Sequence, residues 1–328
     1  MNVNILKSQK SAVDPLMATF IITRKCTIAC PMCLFKCGPQ RQETLSEELA
    51  LKTLEEINRL KIKCIGITGG EPFLEFNLMN DLAKMANYYG MIVILVTNSH
   101  WALTKIIALE KLGELKKAGI TRIQISIDDQ HQSHIPLDRV YNAVQAAKEL
   151  GFEDIKLIGS TIGNSEKFKF YLLYLQEFLG LEINEIDLID GPRVSHKYYK
   201  DPSQKRYSIS ELENAKSLNI PVGKPFDCLK DLMIDINGDV YPCCNNFIGR
   251  IGNLYKSNLN EMLINTKNNK YLQMLNQRGP NGLAAYLDKN FNTGFYQDKY
   301  ASWCELCARI FQKDSFKDLF VNGLPLST

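Results

Sequence analysis

Four glycines do most to limit what this chain can become. Gly90, Gly119, Gly151 and Gly180 each end a stretch with helical apolar spacing, and a short β-branched run follows each within a few residues. A glycine just past a helix takes the left-handed conformation that stops it, so the text reads as helix, stop, strand, repeated. The predicted strands cover 18–23, 63–68, 91–97, 120–127, 155–162 and 183–189, with helices over 78–89, 104–118, 136–150 and 165–179. A further helix reaching Leu60 is expected from Thr44-x-x-Glu47, a capping box ahead of the apolar stripe Leu45, Leu49, Ile57 and Leu60. Strands that alternate with helices lie parallel. Six units do not close an eight-stranded barrel, and the alternation stops near Val194. The expected fold class is α/β: an open, partial (β/α)6 barrel with a small C-terminal α+β domain built on a β-hairpin. Functional groups of parallel barrels collect at the C-terminal ends of the strands.

The first strand runs into Cys26-Thr27-Ile28-Ala29-Cys30-Pro31-Met32-Cys33, three thiols at C-x3-C-x2-C spacing. A four-iron cluster takes four thiolates, so three leave one iron open to a small molecule; C-x2-C by itself also marks zinc. After the second strand, Gly69-Gly70-Glu71-Pro72 combines two glycines that admit close backbone approach with one charge. Thr97-Asn98 follows the third strand, and the period of two puts Ser126 and Asp128 on one side of the fourth. These loops together resemble the radical S-adenosylmethionine (SAM) superfamily. The resemblance implies that Cys26, Cys30 and Cys33 hold a SAM-binding 4Fe-4S cluster. It also implies that the backbone edge of Gly69, Gly70 and Glu71 holds the SAM methionine amino group, and that Asn98, Ser126 and Asp128 touch its ribose or carboxylate. The family commonly has an aromatic residue before the third cysteine to pack on the adenine. Met32 stands there, and a thioether also covers a ring face. On the same rim, His131 is expected as a solvated loop histidine, and Cys37 and Cys64 as inert thiols.

Farther on, Cys228 and Cys243 flank Ile234-Asp235-Ile236-Asn237-Gly238-Asp239-Val240-Tyr241, which reads as a hairpin turning at Asn-Gly. A hairpin brings its ends together, and Cys304-Glu305-Leu306-Cys307 supplies a second thiol pair. On spacing alone these four ligands suit zinc as well as iron–sulfur. The run C-x9-G-x4-C, then Ile251-Gly252-Asn253-Leu254 and a later C-x2-C, resembles the SPASM/twitch extension of radical SAM enzymes. The fuller SPASM form uses more cysteines than remain here. The resemblance therefore implies one auxiliary 4Fe-4S cluster on Cys228, Cys243, Cys304 and Cys307. Adjacent residues of a strand face opposite ways, so Cys244 can present its thiol to the cavity while Cys243 binds iron. That arrangement resembles radical SAM peptide epimerases, in which a cysteine returns hydrogen to a carbon radical; there Cys244 is the donor and Asp231 helps to position the substrate. The aromatic residues between 278 and 303 are expected mainly to close a small core.

The resulting division is an arm over 1–16, the barrel over 17–205, a linker over 206–224, the auxiliary-cluster domain over 225–313 and a tail over 314–328. Apolar residues are 45% and charged residues 23% of the 328, with a net charge of +3, an ordinary globular composition that makes no electrostatic case for nucleic acid. No apolar stretch is long enough to span a bilayer. Clustered cysteines point to thiolates kept reduced in the cytoplasm. The expected partners are a precursor peptide and an electron donor such as flavodoxin or ferredoxin, with neither nucleic acid nor membrane. Three readings follow: a peptide epimerase, a maturase forming a thioether or carbon–carbon crosslink, and a zinc-binding adaptor.

Overall fold

Each glycine that ends a predicted helix has a positive φ: 66° at Gly90, 106° at Gly119, 66° at Gly151 and 61° at Gly180. A side chain would strain that conformation. The computed structural model describes residues 13–31, 33–159, 166–177, 180, 187–190, 206, 208–213, 229–244, 248–300 and 302–312. Its first part alternates as β1 (Met17–Ile21), α1 (Glu47–Arg59), β2 (Cys64–Thr68), α2 (Phe76–Tyr88), β3 (Ile92–Thr97) and α3 (Lys105–Lys117). Then come β4 (Arg122–Ser126), the one-turn α4 (Asp129–Gln132), α5 (Leu137–Glu149), β5 (Asp154–Gly159), α6 (Glu166–Glu177) and β6 (Asp187–Asp190). All six strands are parallel and neighbour one another in chain order. This is the expected open parallel sheet of a partial barrel.

The two faces follow the period of two. Phe20, Ile67, Leu95 and Ile125 are fully buried in the core, while their neighbours Thr19, Gly66, Ile94 and Gln124 line a cavity on the other face. Packing is close there, since a Cβ on Gly66 would stand 2.8 Å from Thr19 Oγ1.

After α7 (Ile209–Glu213), the chain returns to the sheet it began. Strand β7 (Asp231–Ile234) pairs in parallel with the second edge of β1, Met17 opposite Asp231. Strands β8 (Asp239–Tyr241) and β9 (Gly252–Asn253) follow antiparallel, giving nine strands in the order β6-β5-β4-β3-β2-β1-β7-β8-β9. The Asn-Gly turn forms, with Gly238 at φ 74°. The hairpin is therefore continuous with the barrel sheet, and an Arg24–Asp235 ion pair at 2.8 Å ties it to the stem of the cysteine loop. Beyond it lie α8 (Leu259–Asn265), α9 (Lys270–Phe291) and α10 (Trp303–Gln312). Helix α9 breaks at Gly279, φ 69°, just before Pro280, whose missing N–H cannot continue the ladder. Tyr300 donates to the Phe295 carbonyl at 2.7 Å and is fully buried, so aromatic residues of this stretch do close a small core.

Two local expectations differ from the structure. The cap of α1 is Ser46, whose Oγ accepts from Leu49 N, and not Thr44. The Thr44 hydroxyl donates instead to Glu75 Oε1 at 3.0 Å, a partner far along the chain. The arm expected over 1–16 is not loose where it is described: Val13 is buried and Leu16 N donates to Lys230 O. Met32, Cys228, residues 1–12, most of the linker over 206–224 and the tail over 314–328 lie outside the described residues.

Candidate functional site

A cavity of about 320 Å³ opens at the C-terminal ends of β1 to β5, walled by Cys26, Cys30 and Cys33 on one side and by Gly69, Gly70, Asn98, Ser126 and Asp128 on the other. Asp231 and Cys244 line the same space.

The cysteine loop is seated by backbone. Gly70 N donates to Thr23 O at 2.7 Å and Glu71 N to Lys25 O at 2.8 Å. A Cβ on Gly70 would lie 2.0 Å from Lys25 O, and one on Gly69 2.7 Å from Thr23 O. These glycines thus bring the end of β2 against the stem of the loop, as well as baring backbone toward the cavity. We expect Gly70→Ala to displace that stem, costing about 1–3 kcal/mol of stability and reducing iron uptake; denaturant unfolding and iron analysis of the reconstituted chain check both.

The Glu71 side chain has a task separate from that of its backbone edge. It is fully buried and faces away from the cavity wall, accepting from Phe73 N at 3.1 Å, Thr97 Oγ1 at 2.8 Å and Asn98 N at 2.8 Å. Burial pushes its carboxyl up to about 7, against these three donors. Its charge is not offered to a cofactor; it pins the end of β3 to the turn after β2. Asn98, 4% exposed, is held by that contact and aims Nδ2 at Cys26 Sγ, 3.6 Å away.

Asp128 caps α4, accepting from Gln130 N and His131 N at 3.0 Å each, and its Oδ1 also accepts from His131 Nδ1 at 2.8 Å. His131 is therefore not a solvated loop residue. Its side chain is 19% exposed and lines the cavity. Burial alone would lower its pKa, but the bond to Asp128 and the nearby Cys30 thiol lift it to about 10. The pattern Asp128-Asp129-Gln130-His131 carried a signal for this, because an aspartate at a helix N-cap brings the third residue on over its own carboxylate. Cys37 is likewise on the cavity wall, with its N–H 3.4 Å from Cys33 Sγ.

Three thiols around a cavity, one short of the four that a cube takes, suit a 4Fe-4S cluster whose remaining iron faces a small ligand. Burial pushes the Cys26 thiol up to about 12, so iron must displace its proton on binding. In the C-terminal part, Cys304 and Cys307 stand one turn apart on α10 and share a face, and Cys243 is buried just past β8. Among the described residues, no three His, Cys, Asp or Glu side chains stand close enough to hold one metal ion; a four-iron cube, with a thiolate at each corner, spreads its ligands more widely. Glu305, between the two α10 cysteines, is fully buried and paired with Arg206 at 2.5 Å and Arg309 at 2.9 Å, which fixes the helix that presents them. Among the described residues no helix is long and apolar enough to cross a membrane.

Comparison with known proteins agrees with this geometry. The sequence model of the Radical SAM superfamily matches residues 20–169, and that of the SPASM iron-sulfur cluster-binding domain matches residues 228–308. YydG of Bacillus subtilis (strain 168), a protein named for peptide biosynthesis, is 22% identical over 296 residues, covering 88% of this chain and 89% of its own. The crystal structure of Streptococcus suis SuiB bound to S-adenosylmethionine superimposes with a TM-score of 0.52 at 15% identity, over 75% of this chain and 65% of SuiB, so the chain spans a little under two thirds of it. The structure of anSMEcpe with bound AdoMet gives 0.53 at 14% identity, over 79% and 84%. With the sheet and cysteine loop described above, the two domain matches identify this chain as one that carries a radical SAM domain and a C-terminal SPASM domain, which imply SAM and two iron–sulfur clusters as its cofactors.

Proposed function

We propose that this enzyme acts on a ribosomally made peptide and inverts L-residues to D-residues, with Cys244 as hydrogen donor. The observation that carries the reading is that Cys244 and Asp231 line the same cavity as Cys26, Cys30 and Cys33. Kinship with YydG, named for peptide biosynthesis, supports a peptide substrate.

When bound, the cluster and SAM supply a carbon radical able to take the α-hydrogen of a peptide residue. The chain's own groups then decide the outcome. Asp231 is held by Thr19, whose Oγ1 donates to Asp231 Oδ1 at 3.0 Å, and offers its carboxylate to orient the peptide backbone. Ile94, Val96 and Ile158 line the cavity and keep water from the reacting carbon. Cys244 gives its thiol hydrogen to the opposite face of that carbon, forming the new C–H bond. The sulfur radical left behind takes one electron and one proton to restore the thiol, so the peptide itself is neither oxidised nor reduced. A low-potential reductant such as flavodoxin or ferredoxin, in the reducing cytoplasm, completes the scheme.

The test is an anaerobic reaction with the candidate precursor peptide in deuterated water, followed by chiral amino-acid analysis and mass spectrometry. A D-residue carrying one solvent deuterium is expected, because a thiol exchanges its hydrogen with solvent. A product lacking two hydrogens, with every residue still L, overturns the reading in favour of a crosslinking maturase.

A further inference from the structure

Two of the three cysteines in the loop accept a hydrogen bond from a group outside the ligand set. Asn98 Nδ2 donates to Cys26 Sγ at 3.6 Å. The Cys37 backbone N–H donates to Cys33 Sγ at 3.4 Å. We propose that the Asn98 side-chain amide and the Cys37 backbone N–H are tuning donors, which raise the reduction potential of the cluster held by Cys26, Cys30 and Cys33. This goes beyond the peptide reading and rests only on the cluster, so the two can fail separately.

The argument is electrostatic. One-electron reduction adds negative charge that the cluster shares with its sulfur ligands, and a hydrogen-bond donor stabilises the reduced form more than the oxidised one. Burial acts the other way: Cys26 is 8% exposed and Cys37 7%, and a medium of low polarity resists added charge while strengthening each hydrogen bond. Both donors are aimed. Asn98 Oδ1 accepts from His100 N at 3.0 Å, which fixes the amide with its NH2 toward the sulfur, and its own N–H is held by Glu71. Lys36 takes a left-handed φ of 52°, turning the Cys37 amide back onto Cys33. Neither residue is needed to complete the ligand set, so their placement is a separate feature of this loop.

The experiment uses the full chain, reconstituted anaerobically and titrated with dithionite while the reduced cluster is followed by electron paramagnetic resonance. The signal that changes on adding SAM belongs to the cluster with the open iron. We expect Asn98→Ala to lower the equilibrium constant for reduction about tenfold, which is 59 mV for a one-electron couple. Cys37→Ala keeps the backbone N–H that meets Cys33 and stays near wild type. An unchanged potential in Asn98→Ala at full iron loading overturns the proposal, as does a Cys37→Ala variant that shifts as far as Asn98→Ala. If Asn98→Ala loses this cluster, Asn98→Leu, of similar size and without a donor, is titrated instead: a potential lowered about tenfold supports the proposal, and an unchanged potential or a second loss of the cluster overturns it.

Discussion

Cys26→Ala, Cys30→Ala and Cys33→Ala are each expected to bring SAM cleavage to background and to lower bound iron from about eight to about four per chain, one cube of the two. The loop has no spare ligand of its own. With one thiolate gone, two remain for a cube that must also leave one iron open. The seating of the loop makes the loss severe, because its stem is fixed to Gly70 and Glu71 by backbone bonds of 2.7 and 2.8 Å and cannot slide to bring another group forward. Cys37 is the nearest candidate for rescue, yet it is already 7% exposed and bonded to Cys33. Replacing Cys33 therefore leaves Cys37 behind the vacated position. Anaerobic assay of 5'-deoxyadenosine, with iron and sulfide analysis, checks all three. Normal 5'-deoxyadenosine from any of them removes the assignment of these cysteines to the SAM-binding cluster.

The parts of this structure that sequence made legible are those set by local rules. A glycine at positive φ after an apolar stripe stops a helix wherever the rest of the chain lies, so the alternation of β1 to β6 could be written from Gly90, Gly119, Gly151 and Gly180. The period of two, applied to β4, put Ser126 and Asp128 on one side, and both line the cavity, while Ile123 and Ile125 on the other side are buried in the core. What escaped depends on partners far away in sequence. Nothing near Asp231 says that β7 will pair with β1, since parallel pairing with Met17 is decided by the edge that β1 leaves when β2 takes the other. Two hydroxyls competed to cap α1, and Thr44 was lost to the cap through Glu75, a residue after β2.

The same distinction explains the cavity wall. Glu71 was visible as a charge beside two glycines, but its direction was not, because the groups that draw it inward are the Asn98 amide and the Thr97 hydroxyl at the end of another strand. Gly69 and Gly70 were read for their freedom to approach a ligand. Their tightest neighbours are carbonyls of the cysteine loop's own stem, a contact between two strand ends that no spacing rule encodes. His131 was misjudged for the opposite reason. Its partner, Asp128, is local, and the helix N-cap that joins them was legible in principle.

Cys244→Ala carries the sharpest expectation: the D-residue should vanish while 5'-deoxyadenosine continues to form and iron is unchanged. Cys243 is buried, whereas Cys244 is half-buried and lines the cavity. Both residues lie past the end of β8, where the chain bends and turns, so the strand alternation expected of them is not what separates them; the turn leaves Cys244 on the cavity wall. Removing the Cys244 sulfur therefore leaves in place the four cysteines assigned to the auxiliary cluster, Cys228, Cys243, Cys304 and Cys307, and leaves Cys26, Cys30 and Cys33 untouched. Hydrogen abstraction, which needs only the first cluster and a seated peptide, should proceed. Return of hydrogen should not, because the groups across the cavity, Asp231 and Thr19, hold O–H or carboxylate oxygen, and an O–H bond is too strong to give its hydrogen to a stabilised carbon radical. The peptide radical then persists until it meets an adventitious donor, and product with wild-type deuterium content no longer accumulates. Chiral analysis, peptide mass and 5'-deoxyadenosine measured on one reaction mixture distinguish the cases. A Cys244→Ala enzyme that inverts its peptide as the wild type does removes Cys244 from the mechanism; one that loses iron and SAM cleavage together makes Cys244 a structural or ligand residue instead.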